Sequence, residues 1–260
     1  MHTFHCAYGE YPPQGAEEFE YTETTKRVRR FFEDFIPEQG RAPGIPEIMK
    51  ALDLDQQETW DALYQLHLGV QIMFVPGTEN IVKMPPVSFV PTRHRAKLED
   101  GREFWAGCAG EASAFHFRFP GQVTTIESMC PDCWEPIVTK WKDGELLSVE
   151  PETALIHIGR HPGEWGDQMM LTCENINFFR SPEHVKVWEE KMPEKRGITL
   201  PVDKAVEWVE GEARVRYWDY DRPPGLVGAN SLAGSTVEHF RALGADVTYW
   251  EELLAAQSAQ

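Results

Sequence analysis

The chain has 260 residues, enough for one large domain or two small ones with a sizeable core. Its 42% hydrophobic and 26% charged residues describe a globular protein, and a formal net charge of −17 with a pI near 4.9 argues against nucleic acid or an anionic membrane as partner, because phosphates would be repelled. No apolar run approaches the roughly 20 residues of a membrane span, and Met1-His2-Thr3-Phe4-His5-Cys6 lacks the basic start and apolar core of a secretory signal, so the expected location is the cytoplasm.

In chain order, residues 1–23 read as an irregular arm rich in Pro, Gly and aromatic residues. From Thr24, Val28, Phe31, Phe32 and Phe35 fall on one helical face, and Gly40 and Pro43 end the helix. Ile45–Leu52 reads as a second helix, Asp53–Gln57 as a turn and Glu58–Leu68 as a third helix. Val70–Val75 and Ile81–Met84 read as short strands. Three helices and a hairpin suggest a winged-helix-like module over residues 24–90. Its second paired helix carries Glu58 and Asp61 and no Lys or Arg, which suits packing better than DNA.

Pro85-Pro86 and Pro91 read as a linker into a core over residues 91–213. After the charged stretch Arg93–Glu103, a short helix-like apolar run starts at Phe104. Strands are expected at Phe115–Phe119, Val123–Ser128, Ile137–Trp141, Leu146–Val149, Ala154–Ile158 and Met169–Cys173, with Asp143-Gly144 among the turns. Pro182–Met192, capped by Ser181, and Val202–Trp208 read as helices. A C-terminal extension, residues 214–260, carries two more at Thr236–Leu243 and Thr248–Ala256. The fold class is α+β: the helical module, then an antiparallel-sheet core with flanking helices.

Phosphate-binding loops and the GxSxG nucleophile elbow are absent from the sequence. Five cysteines remain: Cys6, Cys108, Cys130, Cys133 and Cys173. Cys130-Pro131-Asp132-Cys133 has the spacing of zinc sites and redox dithiols, but no second CxxC or HxxxH follows at a customary distance; Cys108, Cys173, His116 or His157 would have to complete a site by folding. Taken singly, Cys108 and Cys173 read equally as small buried hydrophobes.

Phe104-Trp105-Ala106-Gly107-Cys108-Ala109-Gly110-Glu111, Cys130, Cys173-Glu174-Asn175-Ile176-Asn177-Phe178-Phe179 and Trp188 together resemble the organomercurial (alkylmercury) lyases, over about Thr24 to Ala213. The resemblance implies protonolysis of a carbon–mercury bond, with Cys108 and Cys173 as mercury-binding thiolates, Glu111 as proton shuttle where the family usually has Asp, and Cys130 as a structural cysteine. It implies an organomercurial substrate, no organic cofactor, Hg²⁺ as bound product, and release to low-molecular-weight thiols or a mercuric reductase. Soft thiolates suit a soft cation, and a carboxyl three residues after a cysteine shares its helical face. An apolar pocket of Phe104, Trp105, Phe115 and Phe178 would raise the Glu111 pKa, and small Gly107, Ala109 and Gly110 would leave room for the ion.

Cys133 and the acidic tail, with Trp218, Tyr220 and Trp250, depart from the family pattern. The rival expectations are a lyase-fold protein holding zinc or copper through Cys130 and Cys133 without carbon–mercury chemistry, and a winged-helix metal sensor.

Overall fold

A computed structural model describes residues 21–69, 71–75, 78–162, 165, 169–210 and 237–258. Residues 1–20 of the expected arm, and residues 211–236 with Trp218 and Tyr220, lie outside them, as does Cys6.

Helix α1, Glu23–Gln39, starts where the Thr22 side chain accepts the Thr25 N–H and ends at Gly40, whose φ of 67° is left-handed and favours glycine. It buries Val28, Phe32 and Ile36, successive i, i+4 positions. Helix α2 is Ile45–Leu52 as expected. Helix α3, Gln56–Leu68, starts two residues before the expected Glu58, because Asp55 and Glu58 form a reciprocal capping box. The strands that follow are β1 (Met73–Phe74) and β2 (Ile81–Met84).

Pro85-Pro86, read as a linker, is instead the turn between β2 and β3, Val87–Ser88. β3 pairs with β5, Glu103–Ala106, which pairs with β4, His94–Leu98. With β6 (Thr124–Met129), β7 (Pro136–Lys142) and β8 (Glu145–Glu150) they complete an eight-stranded antiparallel sheet in the order β1-β2-β3-β5-β4-β6-β7-β8. In β4, β6 and β7 alternate residues point inward: His94, Ala96 and Leu98; Thr124, Ile126 and Ser128; Ile137, Thr139 and Trp141. Asp143-Gly144 closes β7 on β8 with both φ angles positive, the geometry that favours such residues in a two-residue hairpin.

Helix α4, Ala109–Arg118, lies against β4, β5, β6 and β7. It overturns two expectations: Phe104 belongs to strand β5, and Phe115–Phe119 is the end of a helix. The aromatic content suggested a strand, but Phe115 and Phe119 are i, i+4 partners, stacked with centroids 5.5 Å apart and packed on Phe104.

A second sheet has the order β10-β9-β11, formed by Leu155–Ile158 (β9), Ile176–Phe179 (β10) and Ile198–Pro201 (β11). β10 and β11 were not foreseen, and the expected strand Met169–Cys173 is helix α5, Met169–Glu174. A four-residue run buried on both faces, such as Ile176–Phe179, has no alternation to reveal it. Helix α6 is Pro182–Lys191. Val202–Lys204 is a 3₁₀ turn leading into α7, residues 205–210; α8, residues 237–242, and α9, Thr248–Ser258, follow. Trp208 of α7 packs on Phe240 of α8, which packs on Trp250 of α9 and on Trp165. No helix among the described residues is long and apolar enough to cross a membrane.

Candidate active site

Cys108 is the N-cap of α4, in extended conformation, and its sulfur accepts the Glu111 backbone N–H at 3.4 Å. The cap therefore places Glu111 in the first helical turn, one turn along from the sulfur. Cys173, near the end of α5, reaches the same point from the other side: the sulfurs of Cys108 and Cys173 and a carboxylate oxygen of Glu111 all lie within 4.8 Å of one another. Cys173 Sγ is 3.7 Å from Glu111 Oε1. Both cysteines are buried.

Sequence reasoning missed the fourth member. Lys83, on β2, is 1% exposed; its ammonium donates to Cys173 Sγ at 2.6 Å and pairs with Glu111 Oε2 at 2.7 Å. Burial alone would pull Lys83 down, but the charges of Cys173, Glu111 and Cys108 outweigh it and hold the ammonium above the usual lysine range. The cation that the sequence did not announce was visible as a lone Lys in the apolar run Ile81-Val82-Lys83-Met84, since a lysine is almost never fully buried unless paired.

Cys108 is of opposite character. Burial, a hydrogen bond to Cys173 and the charge of Glu111 push its thiol well above the ordinary cysteine value, outweighing Lys83. Cys173 Sγ thus accepts from the Lys83 ammonium, whereas the surroundings of Cys108 favour its thiol form. The surroundings of Glu111 differ from the expected apolar pocket because the Lys83 ammonium sits against it. Phe104 and Phe115 pack on each other and Phe178 meets His94 edge-on.

The small residues also have other work than leaving space for an ion. A Cβ on Gly107 would meet Glu111 Oε2 at 2.1 Å and Lys83 Nζ at 2.2 Å, so this glycine admits the ion pair. A Cβ on Gly110 would meet the Trp208 ring at 2.7 Å, so that glycine seats α7 on α4.

Cys130 and Cys133 lie elsewhere, in the turn after β6. Neither Cys108, Cys173, His116 nor His157 completes a site with them. His116 stacks on Trp141 at 5.7 Å, and His157 contacts Glu189 at 3.0 Å. His184 of α6 comes to the pair instead, within the same 4.8 Å limit. Trp188 of α6 packs edge-on against Phe179.

Comparison with known proteins matches residues 87–210 to the family model described as alkylmercury lyase, a narrower span than Thr24 to Ala213. Alkylmercury lyases of Bacillus cereus and Clostridium butyricum are each 31% identical over 121 residues, 46% of this chain and 53% of theirs. That of Streptomyces lividans is 27% identical over 117 residues, 45% of this chain and 52% of its own. The chain spans about half the length of these relatives. The mercury-bound form of MerB2 has the same fold at 19% identity, with a TM-score of 0.60 over 75% of this chain and 92% of that one.

Proposed function

We propose that the protein is an alkylmercury lyase, because residues 87–210 match that family's model, and that it cleaves carbon–mercury bonds by protonolysis, R–Hg⁺ and a proton giving R–H and Hg²⁺. The observation that carries the reading is the convergence of Cys108, Glu111 and Cys173 within 4.8 Å, from two helices far apart in sequence. Two soft sulfurs and a carboxyl are what the reaction needs: ligands for a soft metal and a proton donor for the departing carbon.

In the proposed sequence Cys173 attacks mercury first; an S–Hg bond forms and the thiol proton passes to Glu111 Oε1, 3.7 Å from the sulfur. Cys108 follows, forming the second S–Hg bond and releasing its proton to the medium. Two sulfurs donate electron density to mercury and weaken its bond to carbon. The Glu111 carboxyl then protonates carbon; the C–Hg electron pair becomes the new C–H bond, and Hg²⁺ stays on the two sulfurs. Low-molecular-weight thiols, or a mercuric reductase, take it away by exchange and restore both cysteine thiols. Lys83 is a positioning residue: its ammonium fixes Cys173 and Glu111 and balances the negative charge that moves between them. No organic cofactor enters these steps.

We take residues 24–90 as a winged-helix-like packing module whose strand β2 supplies Lys83 to a core over residues 91–213, in a cytoplasmic protein. A metal at Cys130 and Cys133 would not exclude this chemistry, because the Cys108–Glu111–Cys173 cluster is separate from that pair. The test is release of benzene from phenylmercury by purified protein in excess thiol, with wild type active and Cys108→Ser and Cys173→Ser each reduced to the thiol-only rate. Unchanged turnover in either variant would discard the mechanism.

A further inference from the structure

The Cys130–Cys133 turn is built tightly: the Cys130 N–H donates to the Glu135 carbonyl at 3.1 Å, and the Trp134 N–H to the Cys130 carbonyl at 2.9 Å. One ring nitrogen of His184 lies within 4.8 Å of both sulfurs. Cys130 is fully buried, Cys133 is half-buried and His184 is about one-third open to solvent, so an ion has an entry path. Asp132, between the two cysteines, is occupied on each side: Oδ2 accepts from His184 Nδ1 and Oδ1 from Lys191 Nζ, both at 2.7 Å. With its Nδ1 hydrogen given to Asp132, His184 keeps the Nε2 lone pair. A carboxylate that orients an imidazole in this way is the usual outer partner of a histidine metal ligand.

We propose that Cys130, Cys133 and His184 hold a zinc ion, with Asp132 positioning His184 and the fourth coordination place left to water. Two thiolates and an imidazole are a zinc donor set, and the borderline imidazole favours zinc over the all-sulfur sites chosen by copper(I). The ion would tie the β6–β7 turn to α6, thereby fastening the large sheet to the helix that follows β10. This inference does not rest on the lyase reading, and its test reads metal, not turnover.

The full chain is produced in zinc-supplemented medium, purified without chelator and assayed for metals, and a zinc-stripped portion is titrated with Co²⁺. Stoichiometric zinc and a thiolate-to-cobalt charge-transfer band are expected, with both retained in the Cys108→Ser/Cys173→Ser double variant. Cys133→Ser should abolish the band. Asp132→Asn, which keeps both cysteines and so stands in if Cys133→Ser fails to fold, should weaken cobalt binding by about 10- to 100-fold. The proposal is overturned by wild type that carries neither zinc nor a cobalt band, by copper in zinc's place, by a band that survives Cys133→Ser, by Asp132→Asn binding as wild type does, or by loss of metal from the Cys108/Cys173 variant.

Discussion

Lys83 changes how the carboxylate of this site is understood. Glu is one methylene longer than Asp, and the extra reach is used: Oε2 meets the Lys83 ammonium at 2.7 Å while Oε1 stays 3.7 Å from Cys173 Sγ. Shortening it should misplace the proton donor, so Glu111→Asp is expected to lower turnover about 10- to 100-fold, since a displacement of about 1 Å costs of that order. Equal or faster turnover in Glu111→Asp, measured by product release, would show that Glu111 is only tolerated here. Lys83→Met removes one partner of a buried pair and should cost about 3 kcal/mol of stability. The Lys83→Met/Glu111→Gln double variant should cost less than the two singles added, as expected for groups in contact; strict additivity in denaturant unfolding would refute the pairing.

At the scale of elements, legibility followed local signals. Helices α1 and α2 were readable from their apolar spacing and end signals. The capping box at Asp55 and Glu58 was equally present in the sequence and would have corrected the start of α3. The end of α4 was misread because its aromatic residues raise strand propensity, and α5 because six residues are too few to show a helical period, whereas the helix start at Cys108 is a side-chain cap by a sulfur, a weak acceptor with no strong sequence preference. The cysteines and Glu111 of the candidate site were legible; Lys83 left only the trace of a lone Lys among apolar residues, and its role was hidden because its partners are contributed by α4 and α5. Gly107, between β5 and α4, joins the two scales. Gly107→Ala should reduce turnover more than it reduces stability, because the atoms its Cβ would meet are those of Glu111 and Lys83. Kinetics and unfolding measured on the same variant separate the two effects, and a loss confined to stability would contradict this placement.

Over the whole molecule, long-range packing ties distant segments to the site, and sequence alone could not give it. Phe240 of α8 packs on Trp208, which seats against Gly110 of α4, so the C-terminal helices buttress the helix that carries Cys108 and Glu111. The interior also holds histidines in neutral form: burial, then Arg93 and Lys83, pull His94 down to about 3, and burial pulls His67 and His116 down to about 4. The ordinary histidine value is about 6.5. A depressed folded value means that the unfolded chain binds more protons between these limits, so the stability these groups contribute is full above about pH 6.5 and is lost as pH falls toward 4. Denaturant midpoints should therefore drop between pH 7 and pH 4.5, and a flat profile would contradict neutral burial.

In the proposed reaction a proton delivered at this site breaks the carbon–mercury bond while two cysteine sulfurs keep the metal. Turnover of methylmercury in D₂O with excess thiol, followed by mass spectrometry of the released gas, tests it most directly. Monodeuterated methane is expected from wild type, with none above the thiol-only blank from Cys108→Ser or Cys173→Ser. Undeuterated methane, or monodeuterated methane at the wild-type rate from either cysteine variant, would contradict it.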